Sequence, residues 1–124
     1  RAVPKAFPAL MRSCKIQKRA ARVGFDWDTA ADTLPKVHEE ADEVLDALKK
    51  GDAPAIAEEI GDLLFACVNA ARKAGVDPEL ALAAATQKFT NRFIKMEELI
   101  LSEGGCLSDM TLEQMDSYWD RIKK

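Results

Sequence analysis

The chain has 124 residues, enough for one domain with a genuine hydrophobic core. Its charged fraction of 31% is ordinary for a water-soluble protein, and a net charge of −3 argues against non-specific nucleic-acid binding as the main task. No apolar run reaches the length of a membrane span, no signal-peptide pattern opens the sequence, and Cys14, Cys67 and Cys106 form no C-x-x-C, so they read as reduced thiols of a cytoplasmic protein.

The predicted elements are all helical. Pro8 suits the first turn of a helix running to about Val23, with Gly24 as its stop. Gly24-Phe25-Asp26-Trp27-Asp28 is a short aromatic loop. A second helical region ends at Gly51, with Pro35 marking the first turn of its main segment. Asp52 and Pro54 start a third helix, closed by Gly75. Asp77 caps a fourth, with Pro78 at its first position, extending to about Ser102. Thr111 with Gln114 forms a capping box for a last helix carrying Tyr118 and Trp119. The only segments that read as loose are the start and the stretch around Gly104. Nothing alternates with period two, so the expected class is all-α. The whole chain, 1–124, reads as one domain with 1–7 as a linker remnant. Its opening on Arg1 rather than methionine suggests a piece of a longer polypeptide.

Two acidic clusters stand out: Glu39-Glu40-Ala41-Asp42-Glu43 and Glu58-Glu59-Ile60-Gly61-Asp62. On a helical wheel Leu34, Val37, Ala41, Val44, Leu45 and Leu48 form the apolar stripe of the second helix, with Glu40 at its edge and Glu43 one step further round. Ile56, Ile60, Leu63, Leu64, Cys67 and Ala71 do the same on the third, with Glu59 at the edge and Asp62 beyond it. Cys67 is therefore expected in the core. Most acidic runs are solvated faces, but those keep their charges opposite the stripe and relieve them with Lys or Arg. Here Glu39 and Glu43 are like charges at i,i+4, as are Glu58 and Asp62, an unfavourable spacing unless a cation intervenes. Gly61, in mid-helix, suggests close approach by a backbone or a ligand. A di-iron site would need Glu-x-x-His pairs, which the single histidine, His38, does not supply; it is expected to be structural or at the surface. Oxygen ligands alone point to Mg²⁺ or Mn²⁺.

On the fourth helix Phe89, Phe93, Met96 and Ile100 make the expected buried face, and Lys88, Arg92 and Lys95 a basic stripe beside it. A polyphosphate bridged by a metal leaves oxygens for such cations. Trp119 with Lys123, at i,i+4, suits stacking on a nucleoside and contact with a phosphate, and Trp27 is a second stacking candidate. Packing is an equally good reading of both indoles.

Together these parts resemble the MazG family of nucleoside triphosphate pyrophosphohydrolases. Its Glu-Glu-x-x-Glu and Glu-x-x-Asp motifs are met by Glu39–Glu43 and Glu59–Asp62, and the blocks Arg22–Trp27, Glu59–Phe65, Lys88–Phe93 and Met115–Asp120 are similar too. The resemblance, closest to the C-terminal half of two-domain members, implies a four-to-five-helix bundle assembled as a homodimer and Mg²⁺-dependent release of pyrophosphate from nucleoside triphosphates, as nucleotide-pool housecleaning. It implies Glu40, Glu43, Glu59 and Asp62 as metal ligands, Glu39 in support, Lys36, Lys88 and Arg92 on the phosphates, and Trp119 and Lys123 on the nucleotide. The departing pyrophosphate would lean on Lys88 and Arg92, and either a carboxylate such as Glu39 or the metal-activated water alone would serve as base. The alternative is a non-catalytic module that binds metal or nucleotide, or dimerises, within a larger protein.

Overall fold

The computed structural model describes residue 3 and residues 5–123, so part of the expected linker remnant, residues 1, 2 and 4, lies outside the described residues. All described elements are helical: α1 (Ala9–Arg22), α2 (Leu34–Lys50), α3 (Ala53–Lys73), α4 (Pro78–Ser102) and α5 (Leu112–Lys123), with 3₁₀ turns at Ala31–Thr33 and Leu107–Asp109. There is no strand among the described residues.

Local chemistry sets the ends. Gly51 closes α2 in the left-handed region, φ 69°, which a side chain would strain. The Asp52 carboxylate then accepts from the Ala55 N–H at 3.3 Å to start α3. The Asp77 carboxylate accepts from the N–H groups of Glu79 and Leu80 at 2.9 and 3.2 Å. At α5 the capping box is reciprocal: Gln114 N–H donates to Thr111 Oγ1 at 3.2 Å, and Thr111 N–H donates to Gln114 Oε1 at 2.8 Å.

The chain divides into two compact units, residues up to Ala81 and residues from Leu82. In the first, α3 is central. It packs on α2, to which the short link at Gly51–Asp52 joins it as an antiparallel hairpin, and on α1. Gln17 of α1 is buried and donates from Nε2 to the Phe65 carbonyl oxygen at 3.0 Å. Arg72 near the end of α3 pairs with Asp26 at 2.7 Å, with Lys73 adding a second contact at 3.2 Å, so the aromatic loop is clamped to α3. Arg72 holds the Asp26 carboxyl well below the usual carboxylate range.

In the second unit Met96 and Ile100 of α4 are buried, and the Phe89 ring lies 5.3 Å from that of Trp119. Arg121 and Tyr118 both hold Glu103, at 2.7 and 2.8 Å. The stretch around Gly104, expected loose, is pinned. Gly105 N–H bonds to the Ile100 carbonyl at 2.9 Å, and a Cβ at Gly105 would press on Met110 and Ile100 at 3.0 and 3.1 Å.

The expected stripes need correction. From Thr33 at the end of the preceding 3₁₀ turn, the covered line continues on α2 through Val37, Glu40, Val44 and Ala47, while Leu34, Leu45 and Leu48 stay about half exposed. On α3 Ala66 and Val68 are buried, whereas Ile60 and Leu64 are exposed, as is Cys67, against its assignment to the core. The apolar arc of each helix is wider than the neighbours within the chain can cover, and a carboxylate takes part of the covered line. Phe89 is likewise exposed while Phe93 is half-buried. Gly61 meets no close neighbour: a Cβ there has nothing within 4 Å. Gly61→Ala should therefore stabilise the chain by about 0.5–1 kcal/mol, from helix propensity alone. A raised urea midpoint would show it, and a lowered one would reveal a contact at this position that the chain itself does not make.

Candidate functional site

The acidic motifs meet where α2 lies against α3. Glu40, Glu59 and Asp62 each bring a carboxylate oxygen to a common point, all within 4.8 Å of one another. Glu39, Glu40 and Glu43 form a second such group, so Glu40 belongs to both. The four expected ligands are thus not one ring; Glu43 joins Glu59 and Asp62 only through Glu40. The i,i+3 spacing puts each pair on one helix face, and the hairpin turns the faces together.

Glu40 is the unusual member, only 7% exposed. Glu59 is half-buried, and Glu39, Glu43 and Asp62 are exposed. Its nearby cation is Lys36, whose Nζ lies 3.8 Å from Glu40 and 2.7 Å from Glu39. The Glu39 contact raises the Lys36 pKa. The Glu40 pKa is also raised, first by a hydrogen bond shared with Glu43 and then by burial, with the Lys36 charge opposing. Burial raises that of Glu59, and the charge of Asp62 adds to it. Carboxylates this close resist sharing full negative charge, and an all-oxygen set of this kind fits a hard divalent cation.

The remaining expected residues lie in the second unit. Lys88 is exposed and Arg92 half-buried on α4; Lys123 is exposed on α5, and half-buried Trp119 packs against Phe89. His38 is exposed, one of the two positions expected for it. The sequence reading missed Gln17 and Asn69 and gave Phe65 no role beyond its place in the block that resembles the family; the three come together through pairings 48 and 55 residues apart in sequence, Gln17 with Phe65 and with Arg72, and through the Arg72–Asn69 contact.

Raised carboxylate pKa values have a defined sign. The native state holds the protons of Glu40 and Glu59 more tightly than the unfolded chain, so their contribution is complete below the ordinary value of 4.5 and is lost as pH rises through the folded values. Asp26 and Glu103, both lowered, act the other way, and their contribution is lost only as pH falls through their depressed folded values. Metal-free protein should therefore gain stability on mild acidification from neutral pH toward the ordinary carboxylate range. Glu40→Gln should flatten that gain and raise the melting temperature at neutral pH, which thermal denaturation across pH reads directly.

Comparison with known proteins agrees with the motifs. A family model described as the MazG nucleotide pyrophosphohydrolase domain matches residues 28–96. Over 124 aligned residues, 98% of the chain, the sequence is 44% identical to a nucleoside triphosphate pyrophosphohydrolase of Escherichia coli (strain K12), and the match covers 47% of that protein. It is 45% identical over 116 residues to the nucleoside triphosphate pyrophosphohydrolase/pyrophosphatase MazG of Thermotoga maritima, covering 94% of the chain and 44% of the relative. An uncharacterised protein of Bacillus subtilis, YabN, matches over 66 residues at 47% identity, covering 53% of the chain and 14% of that protein. The chain spans about half the length of the first two relatives. Because the matched segment holds both acidic motifs together with Lys36, Lys88 and Arg92, and spans more than half of the sequence, the chain belongs to the MazG nucleotide pyrophosphohydrolase domain family.

Proposed function

We propose that this chain hydrolyses nucleoside triphosphates to the monophosphate and pyrophosphate, with Mg²⁺, or Mn²⁺ in its place, held by Glu40, Glu43, Glu59 and Asp62. The observation that carries this reading is the meeting of Glu40, Glu59 and Asp62 oxygens within 4.8 Å, on the two motifs inside the family match. The Escherichia coli and Thermotoga maritima relatives, both named nucleoside triphosphate pyrophosphohydrolases, support it.

The ion, when bound, supplies charge neutralisation at the phosphate oxygens and lowers the pKa of water. The chain's own residues do the rest. Lys36, hydrogen-bonded to Glu39 at 2.7 Å, turns from that carboxylate to a phosphate oxygen. Glu39 is then free to take the proton of the attacking water as its oxygen bonds to the α-phosphorus and the bridging bond to the β-phosphate breaks. Glu40 orients this group through its shared position in both carboxylate clusters. Lys88 and Arg92 are assigned to the oxygens of departing pyrophosphate, and Trp119 and Lys123 to the nucleoside and a phosphate.

The reading includes a cytoplasmic setting and removal of triphosphates from the nucleotide pool. Cys67 and Cys106 are exposed free thiols, as in a reducing compartment, and no described helix is long and apolar enough to cross a membrane. It also includes a homodimer. Leu45, Leu48, Ile60 and Leu64 expose between 42% and 54% of their surface, large apolar side chains left for a second copy to cover. Sedimentation at micromolar concentration should give twice the chain mass, and a monomer would remove the dimer from the proposal.

Incubation with Mg²⁺ and each common triphosphate, ribose and deoxyribose, should yield monophosphate and pyrophosphate. Orthophosphate would indicate another phosphohydrolase, and binding without turnover a non-catalytic module. Glu40→Gln or Glu59→Gln should lower kcat on the order of 10²- to 10³-fold with unchanged circular dichroism. Normal turnover by these variants would place the site elsewhere.

A further inference from the structure

Lys36 stands where helix energetics do not ask for a cation. It lies in the first turn of α2, which holds no acidic side chain, and the N-terminal end of a helix favours negative charge. Its pairing order is the weaker one too, since a lysine four residues before a glutamate opposes the helix dipole. Helix stability therefore does not account for this residue, and its partners do. Its Nζ lies 2.7 Å from Glu39 and 3.8 Å from Glu40.

Those contacts bring the positive charge to the carboxylate that both acidic groups share. Among the described residues no other cation comes within ion-pair distance of Glu39, Glu40, Glu43, Glu59 or Asp62. The α3 segment has no basic residue before Arg72, and Asp26 holds both Arg72 and Lys73. Lys50 lines a groove with Glu43, Glu58 and Glu59 without reaching ion-pair distance of them.

Burial sets the partners apart. The Glu40 side chain is 9% exposed and cannot turn to water, whereas that of Lys36 is 41% exposed. The lysine is thus the member of the pair that can leave. An ammonium this close to Glu40 repels any divalent ion that Glu40 helps to hold. A phosphate oxygen offers the ammonium an anionic partner in exchange. Movement from one to the other removes the repulsion and sets a new anion beside the ion.

From this we infer that Lys36 is a tethered counter-cation that couples ion binding to phosphate binding. With no phosphate bound it competes with the metal ion for Glu39 and Glu40, and a triphosphate that draws it away tightens the hold on the ion. The inference rests on the proposed metal and nucleotide chemistry and adds the regulation of that site: ion and triphosphate load together. By linkage, the factor by which triphosphate tightens the ion equals the factor by which the ion tightens triphosphate.

Mn²⁺ titrations of the phosphate-free protein, read from the loss of the free-ion paramagnetic resonance signal, test the competition without turnover. Lys36→Gln should bind Mn²⁺ more tightly than the wild type, on the order of five- to tenfold. Lys36→Arg, which keeps the charge, should stay near the wild type. Lys50→Gln is the control for net charge and should move the affinity much less. Calorimetric titration with the Mg²⁺ complex of α,β-methylene ATP should show the opposite sign, with Lys36→Gln binding it more weakly. Weaker or unchanged Mn²⁺ binding by Lys36→Gln overturns the inference, as does equal tightening by Lys50→Gln. So does loss of affinity for both ligands, which a structural lysine would give. Opposed shifts without hydrolysis by the wild type would preserve the coupling and remove the proposed activity. Hydrolysis by the wild type, with Mn²⁺ affinity unshifted in Lys36→Gln, would do the reverse.

Discussion

The structure depends on tolerating negative charge where two helices need to touch. In an antiparallel hairpin the covered line of each helix normally belongs to apolar side chains. On α2 that line runs Val37, Glu40, Val44, Ala47, so a carboxylate stands inside it. Opposite stand Glu59 and Asp62. Nearly all the cost of desolvating Glu40 falls on one lysine, Lys36, at 3.8 Å, while Glu43 and Asp62 add repulsion. Small side chains elsewhere at the contact, Ala47 and Ala66, are buried and let the helices stay close. A fold that keeps such an arrangement gives up stability at that point.

How much of this was legible depends on the range of the interaction. Helix ends were readable because their causes are local. Asp52, Asp77 and the Thr111–Gln114 box each act within three residues, and Gly51 needs only its own backbone. The acidic pairs were readable as pairs because i,i+3 spacing is a property of one helix. Their convergence was not, since it depends on the register of α2 against α3. The faces were partly misread for a related reason. A wheel that ranks residues by hydropathy excludes Glu40 from the covered line and promotes Leu34, Leu45 and Leu48, which are about half exposed. Cys67 was misplaced by the same ranking.

The Asp26–Arg72 pair shows the other limit. It joins residues 46 apart, and neither sits in a pattern that announces it. Yet it decides the shape of the first unit at the end of α3, because the aromatic loop has no regular structure of its own to hold it. An ion pair with an arginine side chain 8% exposed is costly to break and costly to leave half-made. Gln17 and Asn69 accept two further N–H groups of that guanidinium, so four of its five donors are engaged in one connected network.

Along α3 these two constraints order the chemistry by polarity. The N-terminal half presents Glu59 and Asp62, unpaired by any lysine of their own helix. One to three turns on, the same side reaches Phe65, Asn69 and the neutralised Arg72. The helix therefore passes from a patch of crowded negative charge to an uncharged, aromatic one, and the Asp26–Arg72 pair keeps the second neutral by cancelling the one guanidinium that borders it.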